Sequence, residues 1–396
     1  MPKGTYFESE QIGIRCSIVR GGSSKGVFFL ENDLPGPGSV RDSVLKRVMG
    51  TPDVMQIDGL GGTHLITSKI VIVGPSTRDD ADVDYTFAQA EITRDVIDYS
   101  GNCGNLSAGV GPFAIEAGLI RPQEPVTCVR IHNTNTNTIL VAHVPVFNGR
   151  PRVKGDFAIA GVPGTGAEIF MDYSLTVGSK TGKMLPTSRV TDHLRLEGGG
   201  SLEVTICDVA NPAVFVRAKD IGLRGDEMPD EFQSQPGLVD KLREIRGKAA
   251  EMIGFSSHWT KVDDESPFIP FVITVAPPLD YRSLGGANVA GREMDLAARH
   301  IFMNRCNDAM AGTGSMCIAA ASRIPGSVVN EQLPAGQDPK GGTLAIGHPG
   351  GVMRVRVLPR EADNDAVIGF AALGFGRTAR KIMDGTVYVP VSGDSI

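Results

Sequence analysis

The sequence predicts an α+β fold of two similar domains, each a central helix wrapped by a mixed β-sheet. Three observations lead there. Two loops rich in glycine and small residues, around Cys103 and Cys317, each run into a small-residue, helix-prone stretch, as two copies of one architecture would. Strands at hairpin-like spacing outnumber strands separated by helices. A chain of 396 residues favours two domains over one.

In chain order, residues 14–19 read as a strand, followed by the turn Arg20-Gly21-Gly22-Ser23-Ser24-Lys25-Gly26 and a strand over 27–30. This turn lacks Walker spacing and leads into a strand where a phosphate loop needs a helix N-terminus. It is either a plain hairpin turn or an anion site for carboxylates, and its Ser-Ser-Lys content favours the second. Residues 41–49 form a short amphipathic helix. A second glycine turn over 59–62 precedes a β-branched run over 66–73 that Lys69 interrupts. Most lysines are solvated. One entering an apolar strand beside a glycine loop can instead face a partly dry cleft and serve as a base.

Strand-like residues 85–97 lead to the loop Tyr99-Ser100-Gly101-Asn102-Cys103-Gly104-Asn105. A cysteine at the mouth of a helix meets free N–H groups that stabilise a thiolate or an anionic ligand. Gly101 and Gly104 allow close approach to the backbone. The bland alternative is a buried cysteine in ordinary turn chemistry. The helix that follows places Leu106, Val110, Phe113 and Ala117 on one face, with Gly118 as its stop and Pro112 kinking it or shifting its start. Strands over 126–132 and 138–146 close the first half.

The domain change is expected near Ser188, giving domains 1–187 and 188–375, with 376–396 able to return to the first. The second half begins with strands over 201–209 and 214–217. Leu238, Leu242, Ile245, Ala249 and Met252 mark a surface helix. A strand over 268–275, a helix over 294–303, strands over 344–347, 352–358 and 386–391, and a basic helix over 377–383 complete the expectation.

Composition excludes several classes. The chain is 41% hydrophobic and 21% charged with a formal charge of −6, without the basic clustering of a nucleic-acid surface. No apolar run approaches the ~18–20 residues that span a bilayer. Residues 1–11 are polar and lack a signal-peptide core, so a cytoplasmic location with free thiols is expected. The cysteines at 16, 103, 128, 207, 306 and 317 form no CxxC pair, and no histidine lies in an HExxH pattern, so no metal is expected.

Several stretches together resemble the PrpF family: Arg20-Gly-Gly-Ser-Ser-Lys-Gly26, Gly59-Leu-Gly-Gly62 with Thr67-Ser-Lys69, Asp84-Tyr-Thr-Phe-Ala-Gln89, Gly101-Asn-Cys-Gly-Asn-Leu-Ser-Ala108, Val110-Gly-Pro-Phe-Ala-Ile115 and Arg323-Ile-Pro-Gly326. The resemblance spans about residues 14–390. It implies a diaminopimelate epimerase-like fold with an active-site cleft between the two domains, and isomerisation of unsaturated di- or tricarboxylates such as methylitaconate, 2-methylaconitate or 4-oxalomesaconate. It further implies a homo-oligomer and no cofactor.

By the same resemblance Lys69 and Cys103 are the acid–base pair, and Cys317 matches the second cysteine of the epimerases. Carboxylates are expected on Ser23, Ser24 and Lys25, on Asn102, Gly104, Asn105 and Ser107, and on Gly314, Ser315 and Met316. Arg282 and His300 are further candidate contacts, against the plainer readings of an exposed arginine and a helix-surface histidine. Two other functions use the same loops: a two-cysteine racemase or epimerase, and a non-catalytic binder of organic acids.

Overall fold

Alternating burial on both faces of one sheet sets the first half of this computed structural model. Residues 6–8, 10–99, 102–159, 161–336, 341–360 and 368–390 are described. Cα proximity divides the chain into one unit of Met1–Asp172 with Gly376–Ile396 and a second of Tyr173–Phe375.

In the first unit β1 (Gln11–Gly21) and β2 (Ser24–Leu30) form a hairpin. Helix α1 (Ser39–Met49) crosses to β3 (Lys69–Pro75), which lies parallel to β2. Strand β4 (Val83–Ala90) returns antiparallel to β3. Helix α2 (Ser107–Glu116) crosses to β5 (Val126–Asn133), parallel to β4. Strands β6 (Thr138–Phe147) and β7 (Ile169–Asp172) then add antiparallel. A closing strand, Ala379–Pro390, pairs along the whole of β1.

The period-two alternation decides which helix each side chain meets. Val27 and Phe29 of β2 and Ile70 and Ile72 of β3 pack with Val44, Leu45, Val48 and Met49 of α1. Phe28, between them in sequence, points the other way and meets Phe113 of α2 at 5.4 Å between ring centroids. Helix α2 packs against β1, β3, β4, β5, β6, β7 and the closing strand, so the sheet wraps it. Such enclosure needs small residues: a Cβ on Gly111 would lie 2.7 Å from Val144 Cγ2, and one on Gly21 would lie 2.7 Å from the Asn105 carbonyl oxygen. Pro112 lies inside α2, and Gly118 follows it in the left-handed region with φ of 75°.

The second unit repeats the plan. Strands β8 (Ser201–Val209) and β9 (Asn211–Arg217) form a hairpin, and α3 (Leu238–Met252) crosses to β10 (Phe271–Ala276), parallel to β9. Strand β11 (Leu296–Phe302) is antiparallel to β10, and α4 (Gly312–Ala321) crosses to β12 (Thr343–His348), parallel to β11. Strands β13 (Gly351–Arg360) and β14 (Gly369–Arg377) finish antiparallel. From each first hairpin onward, both units read antiparallel, parallel, antiparallel, parallel, antiparallel, antiparallel. The expected α+β fold, two similar halves each with a central helix, is the fold observed.

Three expectations need correction. The division falls after Asp172 rather than after 187, because residues 173–187 are anchored on the second unit. The Tyr173 N–H donates to the Leu373 carbonyl at 2.7 Å, and the buried Asp208 carboxylate accepts the Lys180 and Thr181 N–H groups at 2.8 and 2.7 Å. Residues 296–302 form β11 and not a helix, and 379–390 form one strand where a basic helix over 377–383 was expected. Val391, the expected end of that last strand, lies outside the described residues, as does Gly101. Among the described residues no helix is long and apolar enough to cross a membrane.

Candidate active site

Parallel pairing of β2 with β3 sets Lys69 beside Gly26, and the turn that opens β2 therefore puts Ser24 within reach of the lysine. Lys69 Nζ donates to Ser24 Oγ at 3.4 Å and to Cys103 Sγ at 3.2 Å, and stands 5.7 Å from the centre of the Phe87 ring. Ser24 is 3% exposed and Cys103 6%, so the two partners of the half-buried lysine are held largely away from water.

Cys103 is fastened by the first turn of α2. Its carbonyl accepts the Ser107 N–H at 3.0 Å and the Ser107 hydroxyl at 2.8 Å, and its sulfur accepts the Leu106 N–H at 3.5 Å. The thiol thus sits at the positive end of the helix dipole, where an anion on sulfur or on a ligand is stabilised. Ser107 is fully buried and spends its hydroxyl on this cap, so its part is structural rather than the expected ligand contact.

Two asparagines flank the thiol. Asn105 Nδ2 donates to Ser23 Oγ at 3.2 Å, while Asn105 Oδ1 accepts from Arg377 Nε at 3.1 Å. Asn102 Oδ1 accepts from Asn133 Nδ2 at 3.0 Å. Ser23, Ser24, Lys69, Asn102, Cys103, Gly104 and Asn105 therefore gather around one helix mouth. Lys25 does not join them: alternation along β2 sends it to the face opposite Ser24. Sequence reasoning missed Arg377, a guanidinium tied to this group, because the segment was assigned to a helix. It also missed Asn133 and Asn135, although the Asn-Thr-Asn-Thr-Asn run over 133–137 was there as a turn signal.

Among the described residues the second unit carries no equivalent pair. Phe271 opens β10 as Lys69 opens β3, and Ala311, whose carbonyl accepts the Ser315 N–H at 2.9 Å, stands at the mouth of α4 where Cys103 stands at the mouth of α2. Cys317 is instead inside α4, fully buried, with its thiol donating to the Cys207 carbonyl at 3.2 Å. Its hydrogen bond and burial push the Cys207 thiol well up. The Cys317 side chain is thus a packing group against β8, six residues past Ala311, as Gly109 lies against β1 six residues past Cys103.

Ser315 and Met316 are likewise fully buried, and the Ser315 hydroxyl donates to the Gly312 carbonyl at 2.8 Å. What the first turn of α4, with Gly314 in it, offers an anion is main-chain N–H. Arg282 is exposed and donates to the Gly286 carbonyl at 3.1 Å within its own two-stranded ribbon. His300 is 2% exposed on β11, packed edge-on against Phe271, and burial lowers its imidazole to about 4. Among the described residues no group of three or more His, Cys, Asp or Glu side chains is arranged to hold a metal ion.

The 3-methylitaconate isomerase of Eubacterium barkeri is 47% identical over 382 residues, covering 96% of this chain and 98% of the relative. The 2-methyl-aconitate isomerase of Shewanella oneidensis is 38% identical over 393 residues, covering 96% and 98%. A solved structure of methylitaconate-delta-isomerase, 46% identical, matches with a TM-score of 0.87 over 98% of this chain and 99% of that one. The family model described as PrpF protein matches residues 11–390, and the chain accordingly belongs to the PrpF family and is an isomerase.

Proposed function

We propose that this isomerase moves the C=C bond of an unsaturated di- or tricarboxylate by a 1,3-proton shift, with Lys69 and Cys103 as its two proton carriers. The contact of 3.2 Å between Lys69 Nζ and Cys103 Sγ at the mouth of α2 carries the reading. One group takes a proton from the carbon γ to a carboxylate, which leaves a dienolate. The other returns a proton at the α carbon. The shift is redox-neutral, since one proton leaves and one enters. After a turnover the two groups have exchanged protonation states, and their direct contact lets the proton pass back and reset the pair.

The difficulty of this chemistry is charge that builds on a carboxylate already anionic. Main-chain N–H groups at the mouth of α2 suit it, and one well-placed donor contributes roughly 3 kcal/mol in such sites. Arg377, adjoining through Asn105, adds a cation on the same side. Methylitaconate leads the candidate substrates, because the Eubacterium barkeri relative is named for it at 47% identity.

The test is ¹H NMR in D₂O with methylitaconate, 2-methylaconitate, cis-aconitate and 4-oxalomesaconate in turn, without added cofactor. The expected result is migration of one double bond with deuterium entering at the α carbon. Exchange at a saturated stereocentre would instead make the protein an epimerase, and no exchange in any of the four acids would remove them as substrates.

A further inference from the structure

The turn over residues 133–137 is built to hold one amide in one sense. Asn133 is fully buried, and its Oδ1 accepts the Thr136 main-chain N–H at 2.9 Å. A main-chain N–H can only donate, so this contact fixes which side-chain atom of Asn133 is oxygen. Nδ2 then necessarily faces Asn102, and Asn102 must answer with Oδ1, at 3.0 Å. The NH₂ of Asn102 is turned away from Asn133, on the half-buried residue that adjoins Cys103.

The turn cannot readily adapt. Asn135 Oδ1 accepts the Phe87 N–H at 2.8 Å, and its Nδ2 donates to the Phe87 and Tyr99 carbonyls at 2.9 and 2.7 Å. Asn135 thereby ties the turn to β4 and to the start of the cysteine loop. On its other side His132 Nδ1 lies 2.9 Å from Asp84 Oδ1, and His132 Nε2 lies 3.0 Å from Asn137 Oδ1.

We infer that Asn133 is a positioning residue: it locks the amide sense of Asn102 so that Asn102 offers N–H donors, never its carbonyl, to the anionic ligand beside Cys103. The inference rests on the reading of Cys103 as a proton carrier in a carboxylate site. It assigns the selection for anions partly to a residue that touches no ligand.

Asn133→Asp keeps the acceptor for Thr136 but removes the donor to Asn102, which then turns its NH₂ toward Asp and its carbonyl toward the ligand. Alkylation of Cys103, followed by mass mapping, gives the ratio of iodoacetate to iodoacetamide rates. That ratio is expected to fall about tenfold or more in Asn133→Asp, the loss of a hydrogen bond to a charged group. In turnover, KM rises by a similar factor while kcat changes less. Asn133→Leu brings no charge and leaves Asn102 free to take either sense, so its ratio falls to an intermediate value. It also serves if the aspartate variant does not fold.

An unchanged ratio in the folded variants overturns the inference. A fall in the ratio with no isomerisation of any acid in the wild-type protein upholds the orienting role and removes only the proposed reaction.

Discussion

Cys103→Ser is expected to lower turnover by about 10³-fold while the protein unfolds within a few degrees of wild type. The serine oxygen can still accept the Leu106 N–H, and the residue is 6% exposed in a pocket of nearly the same shape. In the proposed mechanism, what is lost is a group able to give up and regain a proton in the dienolate step. Lys69→Met should cost a similar factor, since methionine fills the space between Ser24 and the thiol without a nitrogen. Because the proposed mechanism uses the two groups as one unit, the double variant should be no slower than the worse single one. Steady-state rates and deuterium uptake by ¹H NMR read both effects. Wild-type exchange in Lys69→Met would remove the lysine from the mechanism.

The second large effect is on stability in acid. Burial lowers the His300 imidazole to about 4, against an ordinary value of 6.5, so the folded protein holds it neutral while the unfolded chain protonates. Its Nδ1 accepts from Asn307 Nδ2 at 2.6 Å, and the ring is enclosed by Phe271 and Gly314. The unfolded state therefore binds the extra proton. Stability from this residue is complete above about pH 6.5 and is lost as pH falls toward 4, to a total of ~3 kcal/mol. His348, also lowered to about 4 by burial and by Arg299, acts in the same direction. Urea midpoints from pH 7.5 to 4 should fall less steeply in His300→Gln than in wild type, and the difference isolates His300 from the other titrating groups. Equal slopes would show that the imidazole gains its proton without unfolding.

Much of the first unit was legible because its signals are local. The β1–β2 hairpin, α1 and the helix after Cys103 follow from turn residues and apolar spacing within about ten residues. Residues 294–303 misled for a physical reason. Met294, Ala297, Ala298 and Ile301 fall at helical spacing, yet β11 is buried on both faces from Leu296 to Ile301, so no polar alternation marks it as a strand. The basic residues Arg377, Arg380 and Lys381 also fall at helical spacing, although the segment's partner is the distant β1. Lys69 and Cys103 stood out as candidates because each sits beside a glycine turn, and the resemblance to the PrpF family gave them their proposed role. Asn133 and Arg377 were not, since their partners Asn102 and Asn105 lie 31 and 272 residues away. Cys317 shared the small-residue context of Cys103 but not its place relative to the helix, which spacing in the loop could not reveal.

The closing strand sets an order on how the enzyme comes into being. Thr378 accepts from Arg20 across 358 residues of chain, and Arg377 holds Asn105 beside the thiol. A ribosome adding 5–20 residues per second needs roughly 20 to 70 s to span that separation. Until residues 379–390 are added the first unit's sheet lacks one edge, and by then every residue of the second unit has been made. A nascent chain halted at residue 375 should leave Cys103 open to rapid alkylation, and release of the full chain should slow it; equal protection in both would show that the first unit closes without its last strand. Activity would then await residues 377–390, with the environment of Cys103 completed only once that late segment has met the hairpin at residues 11–30.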